Sequence, residues 1–103
     1  MSQTYSAPLE KTIQAKIMAY LKTLPETFAW KVHTGGPYSC PGIPDILCVR
    51  TGRLYAFEVK RPGRKPTPLQ EATLWKLREA GAVTAVVTGV EEVRSILDGD
   101  FDV

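Results

Sequence analysis

The chain has 103 residues, an ordinary globular composition with 44% hydrophobic residues, and a formal net charge of +2. This length suits one domain, spanning residues 1–103, with a single hydrophobic core. No stretch approaches the roughly 18 consecutive apolar residues of a membrane span, and no secretory pattern opens the chain. We therefore expect a cytoplasmic protein that has no membrane partner.

The charges are distributed unevenly along the chain. Residues 91–103 hold five acidic side chains and one arginine, whereas the first ninety residues hold twelve basic and six acidic side chains. A body with an excess of basic residues favours a polyanionic partner. We expect residues 99–103 to form an acidic tail and residues 1–6 a loose polar one.

The first predicted element is an amphipathic helix at residues 8–24, where apolar side chains recur at helical spacing. Pro8 suits a first turn, and Pro25 closes the far end. Glu10 falls on the apolar face of this helix. Two interpretations of Glu10 stay open: an acid that is favourable at the helix N-terminus, or an acidic group near a metal ion.

A short alternating strand is predicted at residues 28–33, followed by a loop rich in turn residues at 34–42. Glycine in such a loop, Gly42 included, lets a phosphate backbone approach closely. His33, at the strand end, is a further candidate contact to nucleic acid, although a structural role explains it equally well. No Walker pattern is present, so we expect no nucleoside triphosphate ligand.

Residues 41–60 carry the strongest pattern, in which two apolar runs flank Thr51-Gly52 as in a β-hairpin. Counting outward from this turn places Asp45 opposite Glu58, and Lys60 on the same face. Like charges directly opposite each other destabilise a sheet, so a divalent cation is a natural partner. The alternative is a Glu58–Lys60 ion pair beside a solvated Asp45.

The hairpin is followed by a basic loop with Arg61, Arg64 and Lys65, which predicts contacts to DNA phosphates. Thr67-Pro68-Leu69-Gln70 then has the pattern of a capping box that opens a second helix. Gly81 suits the end of that helix. Residues 82–88 predict a central strand because they are β-branched and nearly free of polar groups, and residues 91–97 predict a last short helix.

The predicted order is helix, three strands, helix, strand, helix, which gives a mixed four-stranded sheet flanked by helices in an α/β sandwich. The segments Gly42-Ile43-Pro44-Asp45 and Glu58-Val59-Lys60-Arg61, followed by Gln70, resemble the signature of the VRR-NUC (virus-type replication-repair nuclease) domain. This domain is a branch of the PD-(D/E)XK nuclease superfamily. The resemblance extends from Glu10 to about Gly89.

The resemblance implies a Mg²⁺-dependent DNA endonuclease in which Mn²⁺ substitutes for Mg²⁺. Asp45, Glu58 and the backbone carbonyl of Val59 are the implied metal ligands, with Glu10 as a further candidate. Asp45, Glu58, Lys60 and Gln70 are the implied catalytic residues. Gln70 therefore has two readings, a helix cap or a hydrogen bond to the attacking water.

Small stand-alone proteins that resemble this chain, in bacteria or phage-infected cells, are homodimers that act on branched DNA such as four-way junctions. The resemblance therefore implies a homodimer here, and Trp75 and Tyr55 are candidates for its surface. Two alternatives remain: a non-catalytic nucleic-acid-binding module, or a subunit of the same fold that needs a partner protein.

Overall fold

A computed structural model describes residues 9–33 and 41–99. The elements are α1 (Glu10–Leu21), β1 (Thr27–Lys31), β2 (Ile46–Arg50), β3 (Arg53–Val59), α2 (Pro68–Glu79), β4 (Val83–Val87) and α3 (Val90–Leu97). This order confirms the predicted α/β architecture. The predicted N-terminal tail, the loop residues 34–40 and tail residues 100–103 lie outside the described residues.

The four strands form one mixed sheet in the order β1-β2-β3-β4. β1 and β2 are antiparallel, β2 and β3 are antiparallel, and β3 and β4 are parallel because α2 carries the chain back across the sheet. The turn between β2 and β3 has positive φ at both Thr51 (48°) and Gly52 (81°). This is the backbone of a two-residue type I′ hairpin, which suits the twist of the strands.

The register of the β2–β3 hairpin agrees with the prediction, since Arg50 pairs with Arg53 and Leu47 with Ala56. One step beyond Ile46 and Phe57, the same register brings Asp45 opposite Glu58. A slip of one residue would send one of these side chains to the other face of the sheet. The turn therefore fixes which side chains meet at the far end of the hairpin.

The prediction that residues 82–88 form a central strand is wrong, because β4 lies at the edge of the sheet. β4 pairs only with β3, but α2 and α3 both contact it. Val83 and Val87 are buried, whereas Val86 is 38% exposed. The apolar sequence of β4 thus reflects helices packed against the strand rather than strands on both of its edges.

Two elements end earlier than predicted. α1 stops at Leu21 rather than Leu24, because Thr23 and Leu24 donate to carbonyls three residues back in a tightened turn. β1 stops at Lys31 rather than His33, although the Val32 N–H still donates to the Asp45 carbonyl. In the described ranges, no helix is long and apolar enough to cross a membrane.

The core lies between the sheet and the layer formed by α1 and α3. The core side chains come from the sheet, α1 and α3, and they are fully or almost fully buried: Ile13, Ile17, Leu21, Ile46, Cys48, Tyr55, Phe57, Val59, Val83, Val87, Val93 and Leu97. On the opposite face, α2 packs against β3 and β4. The β1–β2 part of that face is less covered, and Phe28, Trp30 and Val49 are exposed there.

Candidate metal and catalytic site

The sheet holds Asp45 in place through both its backbone and its side chain. Its carbonyl accepts a hydrogen bond from the Val32 N–H at 2.8 Å, next to β1. Its Oδ2 accepts another from the Val59 N–H in β3, also at 2.8 Å. Asp45 follows the buried Pro44, whose ring fixes one backbone angle just before the carboxylate. The carboxylate is therefore preorganised beside β3.

Glu58 is the acidic residue that is buried most deeply among those described, since it is only 1% exposed. Its Oε2 lies 3.7 Å from the Lys60 Nζ, and the Lys60 side chain is itself only 12% exposed. Its Oε1 is buried and has no hydrogen-bond partner among the described residues. A buried carboxylate oxygen without a partner is costly, so Glu58 Oε1 has a hydrogen-bonding or ligand capacity that the described residues do not use.

Burial is the largest of the effects that raise the pKa of Glu58 to about 8 from an ordinary 4.5. The charge of Asp45 and a hydrogen bond to it raise this pKa further, Lys60 lowers it, and Glu10 raises it slightly. A hydrogen bond between two carboxyl groups requires a proton on one of them. Loss of that proton breaks this bond and leaves two negative charges side by side, next to a Glu58 Oε1 that has no partner among the described residues.

The donor set fits a magnesium ion that keeps most of its water. Mg²⁺ is usually bound by one or two carboxylates together with waters and substrate phosphate oxygens. Asp45, Glu58 and the adjacent Val59 carbonyl supply such a set, and the unpartnered Glu58 Oε1 is the observation that favours it. Across residues 9–33 and 41–99, no three His, Cys, Asp or Glu side chains are grouped closely enough to hold a metal.

Glu10 lies at the first residue of α1, half-buried, and near enough for its charge to act on Glu58. It does not complete a three-ligand group with Asp45 and Glu58. Its first-turn position also suits the helix dipole, so both sequence interpretations remain compatible with the structure.

Gln70 completes the capping box that the sequence predicts. Its Oε1 accepts a hydrogen bond from the Thr67 N–H at 2.9 Å, and its own N–H donates to Thr67 Oγ1 at 3.2 Å. The side chain of Gln70 therefore caps the N-terminus of α2. The amide oxygen is engaged in this cap, and the amide NH₂ is the part of Gln70 that remains chemically suited to a catalytic hydrogen bond.

The basic loop continues directly from the end of β3. Arg64 and Lys65 are exposed, Arg61 is half-buried, and the Arg64 N–H donates to the Arg61 carbonyl in a turn at 3.0 Å. The loop follows Lys60 in the chain, so it begins next to Asp45 and Glu58. His33 is exposed two residues beyond the end of β1, at the same end of the sheet as Asp45. Its contact to nucleic acid stays a prediction.

Gly42 has a structural task that its sequence context did not reveal. Its φ is +86°, and a Cβ atom there would lie 2.9 Å from both Leu69 Cγ and Thr73 Oγ1. The segment before Asp45 therefore packs directly on the first turns of α2. This contact explains the glycine without DNA, although it does not test the predicted DNA contact.

The two residues predicted as candidates for a dimer surface differ in exposure. Trp75 is 59% exposed on α2, whereas Tyr55 is 7% exposed and belongs to the core. The aromatic pair Phe28 and Trp30, with ring centroids 5.6 Å apart, was not expected at the surface. Their alternation predicted a strand, but did not tell which face of that strand α2 leaves open.

Solved structures named for the VRR_NUC domain share this fold. One, named "VRR_NUC domain", has a TM-score of 0.71 and 24% sequence identity, and the match covers 89% of this chain and 97% of that chain. Another, named "VRR_NUC domain protein", has a TM-score of 0.69 and 19% identity over 90% of this chain and 88% of that chain. No family model and no curated protein matches the chain.

The chain therefore has the α/β fold of the structures named for the VRR_NUC domain. The predicted resemblance is thereby confirmed at the level of the fold, over most of the chain.

Proposed function

We propose that this chain is a Mg²⁺-dependent endodeoxyribonuclease that hydrolyses phosphodiester bonds, with Mn²⁺ able to replace Mg²⁺. The observation that carries the proposal is the buried Glu58, which has an unpartnered Oε1 and lies beside Asp45 and 3.7 Å from Lys60. The fold agrees, since it is shared with proteins named for the VRR_NUC domain. The Lys60 ion pair by itself leaves Glu58 Oε1 without a partner among the described residues, and a metal ligand role would supply one.

Asp45, Glu58 and the Val59 carbonyl would hold the metal, and Glu10 would add negative charge through water. Bound there, a divalent cation would lower the pKa of a water ligand and stabilise charge on phosphoryl oxygens. Lys60 would orient the attacking water and balance the negative charge that builds up on the phosphoryl oxygens. The NH₂ group of Gln70 would donate to that water or to the scissile phosphate.

The basic loop supports DNA as the substrate. Arg61, Arg64 and Lys65 follow Lys60 directly and would contact the phosphates that flank the scissile bond. Each neutralised phosphate releases counterions, so binding should weaken steeply with salt. Gly42 and His33 are secondary candidates for the same backbone, because they border the segment that leads to Asp45.

We further propose a homodimer that acts on branched DNA such as a four-way junction. Glu58 is the one buried acidic residue among those the structure describes, so one chain offers one candidate site. Two symmetric cuts need two sites related by a two-fold axis. The exposed Trp75 remains a candidate for the dimer surface.

The test is cleavage of labelled four-way junction, flap and linear duplex DNA by the purified chain in Mg²⁺, Mn²⁺ or EDTA. We expect metal-dependent cutting of the junction that is lost in Asp45→Asn and Lys60→Met. Lys76→Met, at an exposed lysine of α2, is the matched control and should keep wild-type activity. Thermal unfolding of each variant verifies that it is folded.

Each other outcome selects a different function. Cutting of flap or linear DNA alone would keep the site and overturn the junction preference. DNA binding without cutting in any metal would favour the non-catalytic module or the partner-dependent subunit. Activity that survives Asp45→Asn would remove the acidic pair from the mechanism.

A further inference from the structure

The sheet face that carries the acidic pair also carries an exposed aromatic pair. Trp30 is opposite Leu47 in the β1–β2 ladder, and Asp45 lies two residues before Leu47. Side chains of residues two apart in a strand point to the same face, so Trp30 and Asp45 share it. Diagonal neighbours of this kind are roughly 7–8 Å apart. The aromatic surface is therefore continuous with the candidate active site.

Phe28 and Trp30 are far more exposed than aromatic side chains of a folded core. Phe28 is 69% exposed and Trp30 is 37% exposed, and their rings lie 5.6 Å apart at a tilt of 34°. Val49, opposite Phe28, is 37% exposed and extends the same surface. α2 covers the β3–β4 side of this face, and none of the described helices buries Phe28, Trp30 or Val49.

The charged side chains on the aromatic face are those of the candidate active site. Lys31 and Arg50 alternate with Trp30 and Val49 along β1 and β2, so they point to the other face of the sheet. Asp45, Glu58 and Lys60 share the face of the aromatic pair. A nucleic acid held at Asp45 and Glu58 would therefore pass beside Phe28 and Trp30, and exposed aromatic rings bind single-stranded nucleic acid by stacking on its bases.

We propose that Phe28 and Trp30 form a stacking platform for unpaired nucleotides of the substrate. The proposal rests on the proposed function and names the part of the DNA that the site selects. Bases in an intact duplex are stacked on each other and cannot reach these rings. Unpaired nucleotides at a branch, gap or single-stranded arm can, and the platform would hold them next to the phosphate that lies at Asp45 and Glu58.

The experiment measures binding by Phe28→Leu and Trp30→Leu, which keep apolar side chains at exposed positions. The probes are a labelled 20-nucleotide oligothymidine and a blunt duplex of equal length, with Ca²⁺ replacing Mg²⁺. We expect oligothymidine binding to weaken roughly five- to a hundredfold for each ring lost. Binding of the duplex should change less than about twofold, because its phosphate contacts are untouched.

Trp75→Leu is the matched control, since Trp75 is also exposed but lies on α2. It should leave both affinities unchanged. Trp30 is then the remaining tryptophan, and its fluorescence should be quenched when oligothymidine binds and unaffected by the blunt duplex. This spectroscopic result does not depend on cleavage, so it separates the platform from the proposed catalytic activity.

Three outcomes would overturn the platform. One is equal loss of single-strand and duplex binding, and another is unchanged oligothymidine binding in both variants. The third is conversion of a dimer to a monomer by Phe28→Leu or Trp30→Leu in light scattering, which would make this face a protein interface. Normal stacking in a chain that cuts no DNA would instead refute the nuclease proposal alone.

Discussion

Replacing Glu58 by glutamine should stabilise the metal-free protein at alkaline pH. The amide has nearly the shape of the protonated carboxyl group and cannot ionise. In the folded chain the pKa of Glu58 is raised to about 8, mainly by burial, whereas the unfolded chain has the ordinary value of 4.5. Glu58→Gln removes this difference while leaving Asp45 and Lys60 in place.

The sign of the effect follows from where the proton is held. Between pH 4.5 and 8 the folded chain keeps a proton on Glu58 that the unfolded chain has lost. The free energy of unfolding of the wild type therefore falls as pH rises through this window. The full difference in pKa corresponds to about 5 kcal/mol as an upper limit, and we expect about 2 kcal/mol because the coupled site can relax.

The assay is thermal unfolding of wild type and Glu58→Gln in EDTA at pH 5, 7 and 9. At pH 5 the two melting temperatures should nearly agree. At pH 9 the variant should melt about 8 °C higher or more, since about 1 kcal/mol shifts a domain of this size by roughly 4–8 °C. Other titrating groups cancel in the difference between the two proteins.

Magnesium should reverse the order of stability. Mg²⁺ binds the ionised carboxylates and so stabilises the folded wild type at pH 9, while Glu58→Gln should gain little. Glu79→Gln, at an exposed position of α2, is the control and should follow the wild type at every pH. Parallel pH profiles for the wild type and Glu58→Gln would refute the reasoning, because they would mean that Glu58 is ionised normally in the folded chain.

Further predictions concern the elements that support the site. Gly42→Ala should lower the free energy of unfolding by more than Gly63→Ala does in urea titrations. Both glycines have a φ of +86°, but only a Cβ atom at Gly42 would meet α2. The difference between the two variants, about 1–3 kcal/mol, measures the cost of that overpacking. Gln70→Ala should cost about 1 kcal/mol of stability by breaking the capping box, and Gln70→Glu should restore the melting temperature; recovery of activity by Glu would contradict a role for the amide NH₂. Ile17→Ala should destabilise the chain by about 2–5 kcal/mol by emptying a fully buried position, and a value within 0.5 kcal/mol of zero would contradict the described core.

Sequence patterns predicted the local features of this molecule best. The Thr51-Gly52 turn and the two-residue period of strands were sufficient to place Asp45 opposite Glu58. The capping box at Thr67 and Gln70 was readable for the same reason, since it depends on residues three apart. The structure confirms these features because each is decided by neighbours in the chain.

Features decided by packing were harder to predict. The apolar composition of β4 reports that its faces are covered, and it carries no information about whether its outer edge is paired. The proximity of Glu10 to Glu58 depends on how α1 lies across the sheet. The exposure of Phe28 and Trp30 depends on how far α2 reaches, and aromatic residues in a strand ordinarily indicate a core.

The two-residue turn at Thr51 and Gly52 sets the strand register, and through it the pairing of Asp45 with Glu58 at the opposite end of the hairpin. Five ladder pairs, from Arg50–Arg53 to Ile46–Phe57, separate the turn from the acidic pair, a distance of about 17 Å. An inserted residue that entered the ladder would shift every pair, and Glu58 would no longer lie opposite Asp45. The acidic pair therefore survives only those changes of the turn that are absorbed within the loop, such as a three-residue turn.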